Sequence, residues 1–255
     1  MVKINRESSI MIYDYKKGKK DILEILTSKT PIETKPRIPL DDSSFTYNNG
    51  IKTWVSSIFV DIRDSSTLFK KKDEEKVARI IRCFTSQLIT ILSSDDNYRQ
   101  IGIRGDCVYG VYTTQYIKDL VSIFRLSYCI NTFMNMFNKI LEQNSFPTIN
   151  VGIGIGCSET LVIKAGKKQT GINDIVWIGD SVVDASNLSS LGNKNSFKPI
   201  VMSKTFYDNV INELVKENQN YRTWISHYSS YNNEFYHCDI LQNDFDKWIN
   251  EGMKV

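Results

Sequence analysis

Histidine is scarce in this 255-residue chain. There are two, His227 and His237, and the five cysteines (Cys83, Cys107, Cys129, Cys157 and Cys238) lie far apart with no CxxC pair. Nothing there has the spacing of a zinc centre, and an odd, dispersed cysteine set does not make a disulfide framework. Long apolar runs are also missing. No stretch approaches the roughly 20 residues that span a bilayer. The N-terminal MVKINRESSIMIYDYKKGKK has no apolar core of signal-peptide length. The expectation is a chain working in the reducing cytoplasm without a membrane partner. Charge of one sign is scarce too: the net charge is +3. That excess is too small to indicate a nucleic-acid partner, and the lysine runs at 17–20 and 70–72 read as solvated faces.

What is present is an ordinary globular composition, 41% hydrophobic and 24% charged, in a chain long enough to bury a sizeable core. Residues 1–50 read as an extension and linker: a short helix at 21–26, then Pro31, Pro36 and Pro39, which break any further helix. The compact domain is expected over 51–255. Its pattern predicts a strand at 52–62 and a helix at 73–92, where Val77, Ile80, Ile81, Phe84, Leu88, Ile91 and Leu92 recur at helical spacing. A hairpin follows around Gly105-Asp106, then a helix at 115–143. Residues 147–166 read as strand, turn and strand. A strand ending at Trp177-Ile178 leads into a helix over 179–193, with Gly192 as its C-cap. A strand at 198–202, a helix at 203–216 and strands at 221–228 and 234–241 complete the reading. Strands alternating with helices, some joined by hairpins, imply an α/β or α+β sandwich on one mixed sheet.

Two carboxylates stand out. Asp61 ends the apolar run Ile58-Phe59-Val60, and Asp106 sits in the hairpin turn beside Gly105. A carboxylate at the tip of a buried strand needs a partner: an arginine, backbone donors or a metal. Taken singly, Asp61 can be a helix cap and Asp106 a turn residue. Together, at adjacent strand ends, they would repel, and divalent cations remove that conflict.

Four segments in order, IFVDIRDSS, RGDCVYGVY, INVGIGIGCSETLVIKAG and VWIGDSVVDASNL, resemble the class III nucleotidyl cyclase catalytic domain. The resemblance covers about 54–202, with weaker support to 241. It implies an α+β fold: a mixed, mainly antiparallel sheet flanked by helices, with a short N-terminal extension. It also implies two divalent cations, Mg²⁺ or Mn²⁺, held by Asp61, Asp106 and the Ile62 carbonyl. The activity implied is attack of a ribose 3′-hydroxyl on the α-phosphorus of its own nucleoside triphosphate, with loss of pyrophosphate. Arg63, Ser65, Ser66 and Thr67 are then candidates for the phosphates, and a homodimer is implied because the family builds each site from two subunits.

The sequence also departs from that pattern. The two positions at which adenylyl cyclases read the base hold Gly102 and Val176, neither of which can make those hydrogen bonds. Arg104, Tyr47, Trp54 and Tyr109 are candidates near the base, although packing is the more ordinary reading of each aromatic. The family's ribose-orienting asparagine and transition-state arginine fall on Val183 and Asn187. Asn187 could take an orienting role but carries no charge; Lys164, Lys167, Lys168 and Lys194 are possible substitutes. The lost purine code and the unfused domain are similar to the pyrimidine cyclases of bacterial Pycsar antiphage systems. That implies a UTP or CTP substrate, cyclic UMP or cyclic CMP as product, and a separate effector that responds to it. The alternatives are a degenerate cyclase fold that binds without turnover, an adenylate or guanylate cyclase, or a diguanylate cyclase relative; the last lacks its diagnostic hairpin here.

Overall fold

A computed structural model describes residues 13–39, 45–65, 73–167, 170–231 and 233–254. The described elements are α1 (Tyr15–Thr27), β1 (Ile32–Thr34), β2 (Gly50–Ile62), α2 (Glu74–Leu92), β3 (Tyr98–Arg104), β4 (Cys107–Thr113), α3 (Ile117–Gln143), β5 (Val151–Gly166), β6 (Asn173–Ile178), α4 (Asp180–Ser189), β7 (Ile200–Ser203), α5 (Lys204–Glu217), α6 (Tyr221–Trp224), β8 (Ser226–Ser230), β9 (Asn233–Cys238) and α7 (Asn243–Asn250). The strands form one sheet in the order β3-β4-β2-β5-β7-β9-β8, with β1 also on β2 and β6 also on β5. Among the described residues only β1–β2 and β5–β7 run parallel; the other pairs are antiparallel. This is the mixed, mainly antiparallel α+β sheet expected from the sequence. No helix among the described residues is long and apolar enough to cross a membrane.

Alternation along β2 separates two faces. Ile58, Val60 and Ile62 point into the main core with Ile153 and Ile155 of β5, against α2, α3 and α5. Along α2 the fully buried residues are Ile80, Phe84, Leu88 and Leu92, a single stripe of the predicted period. Asp73 starts that helix by accepting the Lys76 backbone N–H at 3.0 Å, an ordinary N-cap. The odd-numbered residues of β2 face the other way. There a smaller cluster joins Ile51, Val55, Val111 and Val162 to Ile38 and Phe45 from the segment before β2.

On that second face α4 lies directly on β5. A Cβ at Gly152, Gly154 or Gly156 would fall 2.0–2.5 Å from the backbone oxygens of Ser189, Ala185 and Ser181 in turn. Three glycines at alternate positions make one strand face bare, so the helix backbone touches the sheet. A hydrogen bond between the hydroxyls of Ser57 and Ser181, 3.2 Å, fixes the start of α4 to β2.

Several sequence expectations need correction. Residues 151–166 are one continuous strand with no internal turn; paired along its length by β2, then β7 and β6, it has no reason to break. The C-cap of α4 is Ser190. Gly192 instead packs its backbone on Gly152, whose Cα lies 2.7 Å from where its Cβ would be. The first turn of the expected strand at 221–228 is the short helix α6. The N-terminal helix is twice as long as expected, and α7 had no counterpart in the reading.

Candidate active site

Strand register builds the site in three rungs on the α4 face. Asp61 pairs with Cys107, which pairs with Arg104; Phe59 pairs with Tyr109, which pairs with Gly102; Ser57 pairs with Val111, which pairs with Gln100. Gly105 turns the β3–β4 hairpin with φ +63°, a left-handed conformation that suits glycine. The hairpin thereby carries Asp106 to the end of the sheet where β2 delivers Asp61. At the end of β2 the chain turns through Arg63 and Asp64, the latter at φ +51°, tolerated by its short polar side chain.

The two aspartates sense each other. Burial raises the Asp61 pKa above the usual carboxylate value and the Asp106 charge raises it further; Arg63 opposes both. Arg63 is 12% exposed and forms an ion pair with the Asp61 carboxylate. Its other terminal nitrogen donates to the Ser190 carbonyl at 2.6 Å, beyond the end of α4. Its Nε is buried without a hydrogen-bond partner. Cys107, opposite Asp61, has its thiol pushed up to about 12 by burial and the Asp61 charge, so it stays a thiol at neutral pH.

This donor set fits a hard divalent cation. Two neighbouring carboxylates, one held above its normal pKa chiefly by burial, would be completed by oxygen donors from phosphate, the pattern magnesium prefers. A guanidinium already fills the cation's electrostatic role beside Asp61. Ile62 buries its side chain in the opposite core, so only its backbone is free to contribute.

The other expected site residues are placed as follows. Ser65 is half-buried in the turn after β2; Ser66, Thr67 and Lys168 lie outside the described residues. Arg104 is exposed at the hairpin end of β3. Asn187 is exposed on α4, one turn after Val183, which is 56% exposed; no hydrogen bond joins its side chain to either aspartate. Trp54 lies on the opposite face of β2 from Asp61, because the two are an odd number of residues apart in an unbroken strand. Lys164 sits over the Tyr47 ring at 6.0 Å, near Ile163, which pairs with Gly50; Asp61 pairs with Gly152. At about 3.3 Å per residue, roughly 35–40 Å of strand separate that end from Asp61 of the same chain. Sequence reasoning missed Trp177, whose indole N–H donates to Gln100 across the α4 face. No alternation marked it in the sequence, where Val176 and Ile178 beside it are apolar too; the half-burial of Ile175 and Trp177 shows only in the fold.

With this geometry in view, the comparisons are specific. Residues 49–222 match the model of the adenylate and guanylate cyclase catalytic domain, and the chain belongs to that family. Among its relatives is a uridylate cyclase of Treponema porcinum, 43% identical over 246 residues, covering 96% of this chain and 83% of the relative. A uridylate cyclase of Gulbenkiania mobilis is 31% identical, covering 82% of this chain and 84% of the relative. Among solved structures, a class III adenylyl cyclase-like ATP-binding protein from Pseudomonas aeruginosa superposes with a TM-score of 0.67 at 17% identity, over 92% of this chain and 48% of that one. The adenylyl cyclase CyaB of P. aeruginosa superposes with a TM-score of 0.60 at 18% identity, over 76% of this chain and 98% of its own.

Proposed function

We propose that this protein is a uridylate cyclase, converting UTP to 3′,5′-cyclic UMP and pyrophosphate. The observation that carries the reading is the placement of Asp61 and Asp106 at adjoining strand ends, in a chain 43% identical over nearly its whole length to a uridylate cyclase. In the reaction the ribose 3′-oxygen bonds to the α-phosphorus, the bond from that phosphorus to the β-phosphate oxygen breaks, and the hydroxyl proton passes to solvent. Asp61, Asp106 and the Ile62 carbonyl would hold two divalent cations, Mg²⁺ or Mn²⁺. When bound, such ions lower the hydroxyl pKa and neutralise the triphosphate.

The chain's own residues do the positioning. Asp61 and Asp106 present paired negative charge at one end of the sheet. The hydroxyl of Ser65, just past the turn that leaves Asp61, is suited to phosphate oxygens; Arg63, held by Asp61 and the Ser190 carbonyl, would reach a phosphate only by releasing them. Arg104, a donor at every polar atom, suits the carbonyl oxygens of uracil. Asn187 stands on the exposed face of α4 with Val183, which fits a homodimer in which α4 serves the partner's site. Cyclic UMP made in this way would be a cytoplasmic second messenger for a separate effector in antiphage defence. A second reading, binding without turnover, draws on Val183 and Asn187 in place of the family's asparagine and arginine.

One assay separates these readings. The protein is incubated with each of the four ribonucleoside triphosphates and Mn²⁺ or Mg²⁺, and cyclic products are resolved by chromatography. Cyclic UMP as the main product supports the proposal. Tight nucleotide binding with no product would establish the second reading.

A further inference from the structure

The middle rung of the site carries an arrangement with no role in metal or phosphate binding. Tyr109 stacks on Phe59, with ring centroids 5.0 Å apart and planes 13° from parallel. Its ring also lies across Gly102: a Cβ there would fall 2.4 Å from Cζ, 2.5 Å from the hydroxyl oxygen and 2.6 Å from Cε1. No side chain fits at residue 102 while Tyr109 stays where it is. The Tyr109 hydroxyl makes no hydrogen bond with the described residues, and the side chain is half-buried, so its polar end is available to a ligand. On one side of it stands the rung of Asp61, Cys107 and Arg104. On the other, Trp177 and Gln100 are joined by a hydrogen bond.

We propose that Tyr109, seated over Gly102 and braced by Phe59, determines which base the site accepts. This rests on the cyclase reading above and extends it to a residue. The ring fills the volume a base-reading side chain at 102 would need. Less room is then left for a two-ring base than for a one-ring base. The phenol both donates and accepts, so it can pair with the uracil edge at either a carbonyl or the imide N–H. Glycine at 102 is then not a lost reader. It is the condition for Tyr109 to lie down, since any larger residue lifts the ring.

The test is a competition with equimolar UTP and ATP, reading the ratio of cyclic UMP to cyclic AMP for wild type and variants, with the melting temperature of each. Tyr109→Phe keeps the stacked ring and loses the hydroxyl; its kcat/KM for UTP should fall about 5–10-fold, the worth of one neutral hydrogen bond, with ATP still rejected. Tyr109→Ala frees that volume, and its UTP-to-ATP ratio should fall by at least about 10-fold. Gly102→Ala should move the ratio in the same direction by displacing the ring. Wild type alone tests the uridylate cyclase reading, which an absence of cyclic UMP would overturn. Cyclic UMP from wild type with an unchanged ratio in both folded Tyr109→Ala and Gly102→Ala would overturn the role of Tyr109 and leave the cyclase reading intact. If Tyr109→Ala does not fold, Tyr109→Phe decides: undiminished UTP turnover counts against the proposal.

Discussion

Arg63 clasps the Asp61 carboxylate with one guanidinium nitrogen and the Ser190 carbonyl with the other. One side chain thus neutralises the candidate metal ligand and anchors the end of α4. A cation bound at Asp61 competes with that guanidinium. Replacing Arg63 with methionine keeps the apolar stem and removes the charge. Without metal the variant should lose about 1.5–3 kcal/mol of stability, the range for hydrogen bonds to charged groups. The rise in melting temperature on adding Mn²⁺ should be larger than in wild type, because the ion no longer displaces a partner. Calorimetric titration of Mn²⁺ gives the same answer through Kd. An equal or weaker Kd in the variant would show that Arg63 does not compete with the ion.

Asp61 leads to a second expectation. Its folded pKa lies above its unfolded value, through burial first, with the Asp106 charge adding and Arg63 opposing. Between those two values the folded chain binds more protons than the unfolded one, so charging Asp61 costs stability as pH rises through that window. At pH 7, without metal, Asp61→Asn should therefore melt no lower than wild type. It should also lose cyclic nucleotide formation and the metal-induced rise in melting temperature, which for a ligand at 100-fold its Kd is worth about 2.7 kcal/mol. Asp106→Asn should likewise abolish turnover. Near-normal product from either variant would rule out the two-aspartate site.

A pH effect of opposite sign is expected at His237. Burial and the Lys198 charge lower its pKa, and its Nδ1 accepts the Lys198 backbone N–H at 3.2 Å, which only the neutral ring can do. The unfolded chain binds the proton more readily, so this contribution is complete above the ordinary histidine value and is lost as pH falls from there toward the lower folded one. His237→Asn retains an acceptor and cannot titrate. The difference in melting temperature between wild type and His237→Asn should shift against wild type from pH 7 to 5. A constant difference would place His237 outside the pH response.

The sequence carried the site's skeleton because Asp61, Gly105 and Asp106 are marked by local signals: an acid at the end of an apolar run, and a glycine where a turn needs positive φ. The helix spanning 74–92 was legible through its buried stripe. Long-range facts were not. Nothing local says that residues 151–166 stay in one strand, since two different neighbours, β7 and β6, cover different parts of one edge. The face on which Trp54 falls follows from the register of β2 with β5, and Arg63's hold on Ser190 spans 127 residues of sequence. Gly102 read as a deletion of chemistry until Tyr109 was seen lying over it.

The glycine run Gly152, Gly154 and Gly156 read in sequence as part of a strand, and the structure gives it a mechanical role that can be tested apart from chemistry. At Gly154 a methyl group would lie 2.0 Å from the Ala185 oxygen and 2.3 Å from the Ser189 nitrogen. Both are backbone atoms of α4, so no side chain can swing aside; the helix itself must lift. Lifting α4 strains the Ser57–Ser181 bond at one end and the Arg63–Ser190 bond at the other. Gly154→Ala should destabilise the fold by about 1–3 kcal/mol or more, as overpacking does, and turnover should fall further than the loss of folded protein explains. Gly171→Ala is the contrast: its Cβ would meet nothing within 4 Å, and only its φ of +72° is unfavourable, so the cost should stay near 1 kcal/mol with activity per folded molecule unchanged. Urea unfolding combined with product formation per folded molecule measures both. Wild-type turnover from folded Gly154→Ala would show that the seating of α4 on β5 does not govern catalysis.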